Sequence, residues 1–201
     1  WDGSALSNAL RWCDARYLLV SVRFARLVSE VVSLENSLEA VLVKGAGSHL
    51  DPLPQTVRGL VYEEAMDAAS PESVGTVLSE TDVASIVYTS GSTGRPHGAT
   101  LSHANLVSNV LAITEYLELS ADDRVLAVLP FYYVYGKSIL NTHAAVGGTV
   151  VIENRFQYPS LALDTLARES CTGFSGVPST FAILLNRSKF AERDLPDLLA
   201  K

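Results

Sequence analysis

The stretch "RVLAVLPFYYVYGKSILNTHAAVGGTVVIE", residues 124–153, decides the fold class. It opens with a short run, 124–130, that is apolar after Arg124, ends in proline and reads as a strand. Residues 135–146 read as a helix, which Gly147 and Gly148 stop. "TVVIE" at 149–153 reads as a second strand. Strand, helix and strand in this order make a βαβ unit, and such units imply parallel pairing. The pattern extends in both directions. Downstream come a helix from about Ser160 to Glu169, a strand at 172–177, and a helix that opens at Pro178 and runs through Leu185. Upstream, "ASIVYT" (84–89) is a strand. Leu106, Val110, Ile113 and Leu117 then recur at helical spacing behind a Ser102 cap. Near the start, "YLLVS" (17–21) and "AVLVKG" (40–45) are strands on either side of a helix carrying Phe24, Leu27, Val28, Val31 and Val32. Residues 46–82 are the least regular part, with Pro52, Pro54 and Pro71 and one short helical piece near "YEEAMDAA". The expectation is an α/β fold of alternating strands and helices with a mostly parallel sheet.

Composition narrows the function class. The 201 residues are 48% hydrophobic and 18% charged, enough apolar material for a core and too little charge for disorder. The net charge is −7 with no cluster of Lys or Arg, which argues against nucleic acid or an anionic membrane surface as the main partner. No apolar run approaches the roughly 18 residues of a membrane span, and no signal peptide is expected. Cys13 and Cys171 match no metal-site spacing, so the expectation is two reduced thiols in a cytoplasmic protein. The sequence begins at Trp1 and its one methionine is Met66, so it is expected to be a piece of a longer polypeptide.

The most chemically suggestive segment is "SIVYTSGSTGRPHG", residues 85–98. Thr89, Ser90, Ser92 and Thr93 offer hydroxyl donors directly after a strand. Gly91 and Gly94 let the backbone turn and present N–H groups with no Cβ in the way. Such a loop can surround phosphate oxygens, and each hydrogen bond to an ionised acceptor contributes roughly 1.5–3 kcal/mol. It is not a Walker A loop, because no "GK[ST]" follows at the required spacing. Two other readings stay open on composition alone. One is a flexible Ser/Gly turn without a ligand. The other is the GxxG clamp of an RNA-binding KH domain, which this acidic chain supports poorly.

Longer context adds a resemblance. "YTSGSTGRPHGATLSHANL" (88–106) resembles the phosphate-binding loop of the adenylate-forming superfamily, which comprises AMP-forming acyl-CoA synthetases, peptide-synthetase adenylation domains and luciferases. "LPFYYVYG" (129–136) and "GFSGVPSTFAILL" (173–185) are similar to two further segments of that family, in the same order. The resemblance is clear over about 82–190 and weaker over 14–45. It implies that the chain is part of the large N-terminal domain of such an enzyme. Thr89, Ser90, Gly91, Ser92, Thr93, Gly94 and His97 would hold the phosphates of ATP, which comes with Mg2+. A carboxylic acid would attack the α-phosphate to give acyl-AMP and pyrophosphate. CoA or a carrier-protein phosphopantetheine would then accept the acyl group. Tyr133, Val177 and Pro178 would line the acid pocket.

The departures from the family pattern are specific. His97 stands where the family has a lysine, and histidine, unlike lysine, changes charge between about pH 5 and 8. His97 is expected to contact the γ-phosphate; the alternative is that Arg95 supplies the fixed charge. Tyr133 replaces a histidine; aromatic core packing is the competing reading for Tyr132, Tyr133 and Tyr135. His103 and Asn105 read as helix-start residues, and His143 as an ordinary helical histidine. The family's glutamate for magnesium, its ribose-binding aspartate and its C-terminal domain have no counterpart here. No residue of this chain is therefore assigned a catalytic or metal-ligating role. The remainder of the parent enzyme is expected as a partner, and the chain alone is expected not to turn over. The rival expectation is a non-catalytic remnant or interaction module with the same partial fold.

Overall fold

The computed structural model describes residues 3–32, 37–45, 53–89 and 97–193. The chain divides into two compact units, Trp1–Thr76 and Val77–Lys201.

The first unit contains α1 (Gly3–Trp12), β1 (Tyr17–Ser21), α2 (Ala25–Val32), β2 (Ala40–Lys44), β3 (Arg58–Val61) and α3 (Tyr62–Ala68). The strands form one parallel sheet in the order β1–β2–β3, with Tyr17 opposite Ala40 and Ala40 opposite Arg58. Val28 and Val31 of α2 pack with Val41 and Val43 of β2 in the core of this unit. Their spacing follows from the periods of helix and strand. Two elements escape the sequence reading. The buried residues of α1 are Ser7, Ala9 and Leu10, and Leu6, one turn before Leu10, packs against the same core. The strand β3 is "RGLV", largely exposed and carrying a glycine; the ladder to β2 supplies what its propensity lacks.

The second unit begins with an antiparallel pair, β4 (Val83–Thr89) and β5 (His97–Ser102). Then follow α4 (His103–Tyr116), β6 (Arg124–Ala127), α5 (Val134–Val146), β7 (Thr149–Ile152), α6 (Pro159–Arg168), β8 (Gly173–Ser175) and α7 (Pro178–Arg187). Strands β7, β6 and β8 form a parallel sheet in that order. The central strand is buried on both faces, which explains its unbroken apolar run. Leu126 packs with Ala162, Leu166 and Cys171. Val125 and Ala127 pack with Ile139. Alternation along one strand thus serves two helices, α6 on one face and α5 on the other. At the sheet's entry Asp123 accepts from the Ser120 N–H at 2.8 Å and from the Thr172 hydroxyl at 3.1 Å. Gly147 ends α5 with φ 75°, a left-handed cap that glycine adopts without strain.

The fold is α/β, with parallel pairing in both three-stranded sheets. The hairpin β4–β5 is the exception. The sequence reading ends the loop segment at residue 98 and places a helix cap at Ser102, with no strand between; residues 97–102 form a strand. "HGATLS" is mostly polar and exposed, so only its partner reveals it. Both cysteines are free thiols, and burial pushes the Cys171 thiol up from its ordinary range. Among the described residues no helix is long and apolar enough to cross a membrane.

Candidate functional site

The hairpin sets the geometry of the Ser/Thr/Gly segment. Tyr88 pairs with Gly98 and Thr89 with His97, so residues 90–96 join two directly opposed positions. Ser90, Gly91, Ser92, Thr93 and Gly94, with Arg95, lie outside the described residues. Thr89 and His97 are exposed. Directly opposed residues of an antiparallel pair share a face, as do positions two apart along a strand. Thr89, His97, Val87 and Ala99 therefore present to one side of the hairpin.

The helix that follows is fixed at its start by a reciprocal cap. The Asn105 N–H donates to the Ser102 hydroxyl oxygen at 3.2 Å, and the Ser102 N–H donates to Asn105 Oδ1 at 3.0 Å. Such boxes satisfy two orphan amides at once. Asn105 is thus a helix-start residue, as expected, and His103 is the first residue of α4. His143 is buried in α5, its Nδ1 3.0 Å from the Ile139 carbonyl oxygen.

Tyr133 sits at the N-terminal cap of α5. Its N–H donates to the Pro130 carbonyl at 3.0 Å, and its own carbonyl accepts from the Lys137 N–H at 2.9 Å. Tyr132, Tyr133 and Tyr135 are 87%, 51% and 41% exposed, so none is core. Val177 caps α7, with its N–H donating to Thr180 Oγ1 at 3.2 Å. Pro178 is the first helical residue and is exposed.

A groove of about 290 Å³ runs between the hairpin, α4 and α5. Val87, Leu101, Leu106 and Val110 supply apolar wall, and among the described residues Lys137 is its one charged lining residue. The Lys137 Nζ donates to Ser85 Oγ at 2.6 Å. Tyr133, Val177 and Pro178 do not line this groove. The sequence reading missed Lys137 and Ser85. A signal was present: Lys137 is the only Asp, Glu, Lys or Arg between Arg124 and Glu153. Among the described residues no group of three or more His, Cys, Asp or Glu side chains is placed to hold a metal ion.

Comparison with known proteins adds independent findings. The family model described as AMP-binding enzyme matches residues 1–200. The chain is 31% identical over 134 residues to a feruloyl-CoA synthase of an Amycolatopsis species, covering 66% of this chain and 27% of that protein. It is 29% identical over 216 residues to the acyl-CoA ligase sidI of Aspergillus fumigatus, covering 97% of this chain and 35% of that protein. Among solved structures, ATP-bound MatB from Rhodopseudomonas palustris superposes with a TM-score of 0.72 at 26% identity, covering 92% of this chain and 34% of that one. The chain thus spans about a quarter to a third of the length of these proteins.

Proposed function

Because this chain belongs to the AMP-binding enzyme family, we propose that it forms the phosphate-holding part of an enzyme that activates a carboxylic acid with ATP. The acid's carboxylate oxygen attacks the α-phosphorus. The bond from that phosphorus to the bridging oxygen of the β-phosphate breaks, and pyrophosphate leaves. The thiol of CoA or of a carrier-protein phosphopantetheine then attacks the acyl carbonyl carbon, the bond to the phosphate oxygen breaks, and AMP leaves as the thioester forms. One matched protein is named a feruloyl-CoA synthase, another an acyl-CoA ligase, and one solved relative is described as ATP-bound, which supports the reading.

The observation that carries it is the Thr89–His97 pair. It draws the two ends of "SGSTGRP" together at one end of the hairpin, and that segment carries three hydroxyl side chains and two glycines in its sequence. In this proposal Thr89 to Gly94 bind the β- and γ-phosphates, and His97 meets the γ-phosphate from the facing strand. Tyr133, Val177 and Pro178 bound the reacting end of the acid. Mg2+ arrives on the phosphates and neutralises part of their charge. Positioning and charge stabilisation do most of the chemical work in such a transfer. Val107 and Leu111, 55% and 61% exposed on α4, support the view that further polypeptide of the parent enzyme covers this face.

The test is a calorimetric titration of this chain with Mg-ATP. Replacing Thr93→Ala and Ser92→Ala together is expected to weaken binding about tenfold or more, since each removes a hydroxyl from an ionised acceptor. Equal affinity in the double variant and the unmodified chain would sink the assignment of the loop.

A further inference from the structure

We propose that the groove between β4–β5, α4 and α5 takes a carboxylic acid carrying a second anionic group, and that the Lys137 ammonium binds that second group. The inference rests on the acid-activating function proposed above and names the substrate class for it.

The argument starts from Lys137 itself. It is half-buried, and among the described residues none that lines its groove is acidic. Among the described residues it makes no ion pair. An ammonium has three donors, and Ser85 Oγ takes one of them at 2.6 Å. That bond anchors the group against β4 and leaves two donors for a ligand. A partly desolvated cation with only a neutral partner favours an anion beside it. Asn109 and Asn141 line the same groove and add amide donors.

Position along the strand then suggests the length of the ligand. Ser85 and Thr89 are four residues apart on β4, roughly 13 Å at the rise of an extended chain. Val87 lies between them and lines the groove. An acid whose reacting carboxylate lies at the Thr89–His97 end can run along Val87 and Leu101 and end at Lys137. Apolar walls that lead to an ammonium fit a straight-chain dicarboxylate better than a monocarboxylate, whose methyl end would meet the ammonium.

The experiment is an NMR titration of this chain, without ATP, using suberate and octanoate, which share a carbon count and differ by one carboxylate. Amide shifts of Ser85, Val87 and Lys137 report occupancy. Suberate is expected to bind at least tenfold more tightly than octanoate. Lys137→Met is expected to remove that preference, and Lys137→Arg to keep it. Octanoate binding as tightly as suberate in the unmodified chain, no suberate binding at all, or a preference that survives Lys137→Met overturns the inference. The comparison of the two acids in the unmodified chain decides the matter even where a variant fails to fold. A Mg-ATP titration of the same sample reads the phosphate loop separately. Lost ATP binding with an intact suberate preference counts against acid activation, and the converse counts against this groove.

Discussion

A Cβ on Gly136 would lie 2.8 Å from the Leu129 carbonyl oxygen and closer still to that of Pro130. Both are backbone atoms, so no side chain can swing aside. This close approach seats the first turn of α5 on the end of "LPFYYVYG" and positions Tyr133 and Lys137. Gly136→Ala is expected to destabilise the chain by about 1–3 kcal/mol, the usual range for overpacking. Urea unfolding checks it, and an unchanged midpoint would contradict the packing argument. A second residue-scale prediction concerns Glu153, which is only 4% exposed. It accepts from the Arg155 side chain at 3.0 Å, from the Arg155 N–H at 2.8 Å and from the Thr165 hydroxyl at 3.0 Å. The Arg155 guanidinium, with the Arg155 N–H and the Thr165 hydroxyl, holds its carboxyl at about 2, against an ordinary 4.5, although burial opposes this. A depressed folded-state pKa stabilises the fold above the unfolded value and ceases to do so as pH falls through the folded one. The Glu153 contribution is therefore expected to be complete above about pH 5 and to fade between about pH 4.5 and pH 2. Glu153→Gln should lower stability at pH 7 and flatten the acid limb of a denaturation profile. A variant whose profile parallels that of the unmodified chain would count against the network.

At the scale of elements, the hairpin and the helix after it form one device. Ser102 ends β5, caps α4 and so fixes where the strand stops and the helix begins. Ser102→Ala is expected to cost about 1 kcal/mol, the typical loss of an N-cap. Chemical denaturation measures it, and a loss below a few tenths would mean that packing alone sets the helix start. At the other end of β5 the register places His97 opposite Thr89. If His97 supplies charge to bound phosphate, His97→Lys should raise ATP affinity more at pH 8 than at pH 6, because histidine changes charge in that window and lysine does not. Calorimetry at both pH values tests this, and equal gains would rule out His97 as the charge carrier.

For the whole molecule, each unit closes a small parallel sheet with its own core, and the candidate site belongs to the second. The chain spans about a quarter to a third of the matched proteins. On the proposed function, the 201 residues hold ATP through its phosphates, and the adenine, ribose and magnesium contacts come from elsewhere. The chain alone is therefore expected to bind Mg-ATP and to give no acid-dependent pyrophosphate exchange above a protein-free control. Robust exchange by the isolated chain would show that those other contacts are dispensable.

The amino-acid sequence by itself determined the elements whose stability is local or whose burial is complete. The strand at 124–127 is apolar from Val125 onward because both its faces are covered there. The helix 134–146 ends at Gly147 because only a left-handed residue closes it cheaply there. The Ser102–Asn105 cap was legible because its partners are three residues apart. The Ser/Thr/Gly segment could be read as a candidate site because its chemistry lies in residue types and order. Tertiary structure alone decided the rest. Strands β3 and β5 are weak strand formers whose backbone groups are satisfied by a neighbour, and no local pattern announces a neighbour. The groove exists only where α4, α5 and the hairpin meet, and the Lys137–Ser85 bond joins residues 52 positions apart. Sequence periodicity records which face of an element is buried. It does not record which other element comes to lie against that face.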